Sequence, residues 1–178
     1  MNKSHAVMAL VAIAVCGSAF AAPPGPLSVT ETIEIKAPLD KVWAAIKDYD
    51  GLPSWHPGFA KDEIVKGKNN TPGAVRALTI KDGPTFTEEL LAFSEKDHSY
   101  KYRIIESPLP LQDYVSTITL TPGKGGVTVV TWVGNFKRKN PADNPPEAEN
   151  DAAAVKLITD VYRGGLSNLK TQLEGASG

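Results

Sequence analysis

Polar and apolar residues alternate over most of this chain, and they change period at only two places. In SVTETIEIKA, residues 28–37, Val29, Glu31, Ile33 and Ile35 share one parity against polar neighbours, which predicts a strand. PLDKVWAAIKDYD, residues 38–50, breaks the alternation. Pro38 suits a first helical turn, Asp40 suits the positive end of a helix, and Val42, Trp43 and Ile46 form a narrow apolar face. Gly51 and Pro53 stop that helix. Strand patterns then return at 61–67, 74–83, 85–95, 99–106, 114–122 and 127–136, with turn chemistry in KDGP and GKGG and a proline-stiffened loop SPLPLQDY at 107–114. After the loop KNPADNPPEAEN the period becomes helical from 148 to about 173. Its apolar residues are Val155, Ile158, Tyr162, Leu166, Leu169 and Leu173. Runs of hairpin-connected strands with a segregated helix predict an α+β domain.

The first residues follow a different logic. Lys3 precedes AVMALVAIAVCGSAFAA, which is free of charge and ends in small residues at Ala19 and Ala21. This pattern predicts a secretory signal peptide over 1–21 and a single domain over 22–178. The run is too rich in small residues for a membrane span of ~20 strongly apolar positions. Cys16, the only cysteine, falls inside the leader, so the mature chain has no disulfide framework and no cysteine nucleophile. Net charge is −1, with no basic patch that would point to nucleic acid. Lys137, Arg138 and Lys139 form the densest positive run and read as a solvated strand end.

Strand parity groups the residues that could carry chemistry. Arg76, Leu78 and Ile80 share a face, as do Glu89, Leu91 and Phe93 on the following strand. Tyr100, Tyr102 and Ile104 form a third set, Tyr114, Ser116 and Ile118 a fourth, and Val130, Trp132 and Phe136 a fifth. These parities bring Arg76 and Glu89 toward one interior. There they must pair or bind a ligand; otherwise both reach solvent as an ordinary cross-strand pair. The corner Trp55-His56-Pro57 raises a similar choice, between a cavity-rim imidazole and a bend that hands a helix to a sheet. No partner set of nucleophile, base and orienting group accompanies His56, so the corner reading is preferred. Gly164-Gly165 inside the long helix costs up to ~1 kcal/mol per glycine, which points to space needed above the helix or to a kink. With His56 and His98 the mature chain's only histidines, no metal site is expected, and no cofactor is expected either. There is no dinucleotide fingerprint, phosphate loop or nucleophile elbow.

The ordered series APLDKVWAAIKDYDGLPSWHPGF, Gly73, Arg76, EELLAF, PLPLQDY, the Trp132 strand and YRGGLSNLK resembles the SRPBCC superfamily. This superfamily is also called START-like or Bet v1-like, and the resemblance is to its polyketide cyclase/dehydrase branch, which also holds the plant abscisic-acid receptors. The segments WHPGF, YKYRI, NPPEAENDAAAVK and VYRGGLSNLK look most like the MxaD-like periplasmic accessory proteins of methanol oxidation. The resemblance implies a helix-grip fold, a curved antiparallel sheet wrapped around the long C-terminal helix with a cavity between them. It suggests that Glu89 and Tyr114 face the ligand, and with the strand parities and the Trp55-His56-Pro57 corner this gives a ligand site of Trp55, His56, Arg76, Glu89, Tyr102, Tyr114, Trp132 and Phe136, with Arg76 and Glu89 the only charges inside. The loops IKDGPTF and SPLPLQDY match the gate and latch positions of the abscisic-acid receptors. Two functions follow. One is a non-catalytic periplasmic protein binding a small apolar or amphipathic ligand, or a partner such as methanol dehydrogenase or cytochrome c. The other is a polyketide cyclase/dehydratase-like enzyme, or a hydrophobic-ligand carrier. Asp143, Glu147 and Glu149 are the residues suited to steering a basic partner, or to favouring the start of the helix.

Overall fold

Seven strands form one antiparallel sheet that curves around a C-terminal helix in a computed structural model, which describes residues 25–175. The leader at 1–21 and Cys16 lie outside the described residues. The strands are β1 (Leu27–Ile35), β2 (Phe59–Lys66), β3 (Val75–Ile80), β4 (Thr85–Ser94), β5 (Ser99–Glu106), β6 (Leu111–Pro122) and β7 (Thr128–Arg138). Helix α1 (Leu39–Ile46) follows β1, and α2 (Asp151–Gly175) closes the described chain. The spatial order β1-β7-β6-β5-β4-β3-β2 makes every link from β2 to β7 a hairpin between neighbours, while α1 carries the chain from one sheet edge to the other. This is the helix-grip fold that the resemblance implied.

Each helix is held by the face its sequence displays. Pro38 caps α1 with extended backbone, and Val42, Trp43 and Ile46 are buried. On α2 the buried stripe runs Ala154, Ile158, Tyr162, Leu166, Leu169, Leu173, at intervals of three and four that track one side of a helix. Fully burying one such large apolar side chain is worth ~1.5–3 kcal/mol, so this stripe anchors α2 to the sheet. The helix starts three residues later than its pattern predicts. Residues Glu147–Glu149 form a separate 3-10 turn, and the Asn150 side chain accepts the Ala153 amide at 2.8 Å, a cap that sets the first turn.

Two strand irregularities decide which side chains face inward. Register between β4 and β5 slips between Leu90 and Ala92, where Leu90 lies opposite Tyr102 and Ala92 opposite Lys101. Leu91 is therefore an extra residue, a bulge that inverts parity along β4. A second slip on β6, between Gln112 and Val115, centres on Asp113 in the left-handed region (φ 55°) and turns both Leu111 and Tyr114 inward.

Candidate functional site

Between α2 and the concave face of the sheet lies a cavity of about 480 Å³. Leu78 and Ile80 from β3, Phe86 from β4, Ile104 from β5 and Leu157, Ile158 and Val161 from α2 give it apolar walls. The segment His56 to Phe59 closes one side, and Leu109, from the loop before β6, lies at another. Of the residues expected from sequence, His56, Arg76, Tyr102, Tyr114 and Trp132 line this space. Trp55 and Phe136 are buried beside it instead. Trp55 packs its ring centroid 5.6 Å from that of Trp132, and Phe136 sits 6.2 Å from Tyr114.

The carboxylate at the wall is Glu88, not Glu89. Glu89 lies on the outer face of β4, where its Oε2 meets Arg103 Nη2 at 2.6 Å. Counting in twos along β4 groups Glu89 with Leu91 and Phe93, and Phe93 does pack on interior Trp43, ring centroids 5.7 Å apart. The bulge at Leu91 adds one residue to that count, so Phe86, Glu88 and Leu90 are the inward set. No local composition marks such a bulge, so only the pairing reveals it.

Arg76 is buried, at 2 % exposed, and each of its three guanidinium nitrogens is hydrogen-bonded. Nε and Nη2 donate to one oxygen of Glu88, Oε2, at 2.9 and 2.6 Å. Nη1 donates to the Tyr49 carbonyl and to Asp62 Oδ2, the latter at 3.2 Å. The Tyr49 ring lies across its face at 4.1 Å and the Tyr102 ring at 5.3 Å. The expected pair of opposite charges is thus a trio. Asp62 and Tyr49 complete it from β2 and from the turn after α1, positions whose sequence reads only as a strand edge and a helix end. Burial works to lower Arg76, but Glu88, Tyr49 and Asp62 outweigh it and hold the group above its ordinary value. Burial likewise drives the Glu88 carboxyl up while the guanidinium pulls it back. Asp62 is pushed up to about 6 by burial, partly offset by Arg76, and its Oδ1 is buried without a partner among the described residues.

His56 is fixed at both ring nitrogens. Its Nε2 faces the Val161 carbonyl at 2.8 Å, so it carries the proton, and Nδ1 accepts the Gly58 amide at 3.1 Å. Burial lowers its pKa, with the Val161 carbonyl opposing that shift. A neutral imidazole with both nitrogens engaged has no spare lone pair for a substrate proton. Its neighbours tie the same corner to α2, since Asn168 donates to the Trp55 carbonyl at 2.9 Å and Gln172 to that of Ser54 at 3.1 Å. Trp55-His56-Pro57 is a structural corner that also forms one wall of the cavity.

A second polar group crosses the cavity floor. Trp132 Nε1 donates to Tyr102 Oη at 3.0 Å and to Ser116 Oγ at 2.9 Å. Ser116 Oγ in turn donates to the Val133 carbonyl at 2.9 Å and meets Tyr162 Oη at 2.8 Å. Tyr162 Oη also meets Tyr114 Oη at 2.7 Å, and its ring stacks on Trp132 at 4.1 Å. Burial raises the pKa of Tyr102, Tyr114 and Tyr162, which keeps these hydroxyls protonated. Among the described residues no group of three or more His, Cys, Asp or Glu side chains is placed to hold a metal ion, and no helix is long and apolar enough to cross a membrane.

The chain belongs to the polyketide cyclase/dehydrase and lipid transport family, whose model matches residues 26–174, and so to the Bet v1-like SRPBCC superfamily. It is 27 % identical to MLP-like protein 423 of Arabidopsis thaliana over 139 residues, 72 % of this chain and 87 % of that one. It is also 33 % identical to the abscisic acid receptor PYL10 of the same plant over 96 residues, which is 52 % of each chain. Among solved structures, XoxI from Bacillus cereus superposes with a TM-score of 0.74 at 28 % identity, covering 85 % of this chain and 98 % of that one. An uncharacterised protein from Bacillus thuringiensis gives 0.71 at 30 % identity, covering 83 % and 98 %.

Proposed function

We propose that this protein binds a small apolar or amphipathic molecule in the cavity under α2 and works by association rather than turnover. The observation that carries this reading is the closure of His56 and Arg76 on partners within the protein. His56 is spent at both nitrogens, Arg76 is spent on Glu88, Asp62 and Tyr49, and among the described residues no nucleophile stands beside a free base. An apolar space with a few fixed polar groups is the usual form of a small-molecule site. The similarity to an abscisic acid receptor supports the same reading. Titration with aminoanthracene, an uncharged fluorophore, should show saturable binding, and Ile104→Trp, which fills the cavity from β5, should weaken it about tenfold. Binding that ignores this substitution would place the dye elsewhere and remove the proposal.

The finer role we propose is that of a periplasmic, MxaD-like accessory factor to methanol dehydrogenase or its cytochrome c. The predicted leader and the segment resemblances support it. Asp143, Glu147 and Glu149 are all exposed, and Glu149 is already bonded to Asn140 at 2.6 Å, which leaves Asp143 and Glu147 free for steering. Affinity for either partner should fall with salt, and again when these three acids are made neutral, because screening acts within ~10 Å at 0.1 M. Absent or salt-independent binding in a two-salt titration rules this role out. One feature favours the enzyme reading instead: Glu88 is a carboxyl held up by burial at an apolar wall, the setting of many general acids. Turnover of a polyketide-like substrate that is lost in Glu88→Gln would establish it.

A further inference from the structure

We infer that the cavity selects an uncharged apolar molecule carrying one hydroxyl head group and disfavours carboxylates, because its polar wall offers a free hydroxyl donor and a free carboxylate oxygen but no cation without an anionic partner. This rests on the binding reading above and names the ligand class for it. Both bonds from Arg76 to Glu88 fall on Oε2, so Oε1 accepts no hydrogen bond from the described residues. The free donor follows from counting protons in the hydroxyl network. Ser116 gives its proton to the Val133 carbonyl, so it accepts from Tyr162 and takes a share of the one indole proton of Trp132, which also points at Tyr102. Tyr162 has donated to Ser116, so Tyr114 donates to Tyr162. Tyr102 shares the Trp132 proton, and among the described residues its own proton meets no acceptor at good hydrogen-bond geometry.

These two open groups are close to one another. Glu88 pairs with Ile104 and Leu90 with Tyr102, so Glu88 and Tyr102 are diagonal cross-strand neighbours on the inward face. A hydroxyl accepts one bond and donates another, which satisfies Tyr102 and Glu88 together. A carboxylate only accepts, and it would face Glu88 with Arg76 already neutralised. The other titratable groups at this wall offer no relief. His56 is neutral and doubly bonded, and Asp160 adds negative charge, its own partner Lys156 sitting at 2.5 Å on the helix surface. Of its two carboxylates the guanidinium lies nearer Glu88, at 2.6 and 2.9 Å, than Asp62, at 3.2 Å, which marks Glu88 as its ionic partner.

Three probes with one ring system separate the possibilities: naphthalene, naphthalenemethanol and naphthoate, titrated at neutral pH by quenching of tryptophan fluorescence. Naphthalenemethanol should bind tightest, with naphthoate about tenfold weaker or worse, as an unpaired desolvated charge requires. Tyr102→Phe should erase the advantage of the alcohol over naphthalene, and the wild-type probe series stands without any variant. Naphthoate binding as tightly as the alcohol, or an alcohol no better than naphthalene, overturns this inference and leaves the cavity-binding reading in place. Failure of all three, together with failure of aminoanthracene, overturns both.

Discussion

Replacing Arg76 with methionine should lower folding stability by about 3–5 kcal/mol, the loss expected when one partner of a buried ionic group is removed. Glu88 and Asp62 would be left inside the sheet with side-chain exposures of 5 % and 0 % and no cation. Arg76→Lys should not rescue it, because a single ammonium cannot place donors on Glu88, Asp62 and the Tyr49 carbonyl at once. If the variant is too unstable to purify, adding Asp62→Asn and Glu88→Gln should restore a folded protein, since the uncompensated charges are then gone. Urea unfolding reads all of these, and a loss under about 1 kcal/mol for Arg76→Met would show that the carboxyls simply take up protons. The pH dependence has a definite sign. Asp62 rises from 3.8 to about 6 on folding, so between those values the native state holds more protons than the unfolded chain. Its contribution is therefore full below the unfolded value and is lost as pH climbs through about 6. Without Arg76 to oppose burial that decline should extend to higher pH, and urea midpoints measured below, within and above this window check it.

The helix-grip architecture could be read from periodicity because both of its periods are driven by burial against one surface. Val29 and Ile35 on β1, Tyr100 and Tyr102 on β5, and the α2 stripe from Ala154 to Leu173 all face the same interior, so alternation and helical spacing report it directly. What periodicity cannot report is a change of phase within a strand. Leu91 on β4 is such a place, and the acidic pair Glu88-Glu89 straddles the inward and outward faces, so one extra residue exchanged their roles. The site was legible to the same extent. Arg76 stood out because a charge at an inward parity demands a partner, but the partner's identity depended on the bulge, and Asp62 reaches the guanidinium from a strand whose burial pattern is mostly exposed. The histidine corner was legible as a corner through its prolines. Its bond to the Val161 carbonyl joins residues 105 apart in sequence and leaves no trace in the local pattern. Trp55 and Phe136 show the limit of aromatic parity: an inward aromatic is buried in either case, and the cavity boundary decides which rings touch a ligand.

The paired glycines of α2 should respond to alanine with opposite signs. A Cβ on Gly165 would overlap His56 Cδ2, lie 2.9 Å from Nε2 and meet the Trp55 ring at 3.1 Å. His56 cannot swing aside without giving up the Val161 carbonyl and the Gly58 amide, and Gly58 itself sits close under the ring. Gly165→Ala should therefore cost about 1–3 kcal/mol, the usual range for overpacking a close contact. At Gly164 a Cβ meets nothing within 4 Å, and the helix there gains from alanine. Gly164→Ala should stabilise the protein by up to ~1 kcal/mol, through helix propensity and a less flexible unfolded chain. Because Gly164 also lines the cavity, a larger residue at that position, such as leucine, should keep the fold and weaken aminoanthracene binding. Thermal unfolding of the two alanine variants, with dye titration of Gly164→Leu, tests the assignment. Equal destabilisation by both alanines would mean that the pair marks a kink in α2. Opposite signs would show one glycine admitting the histidine corner and its neighbour leaving room at the cavity.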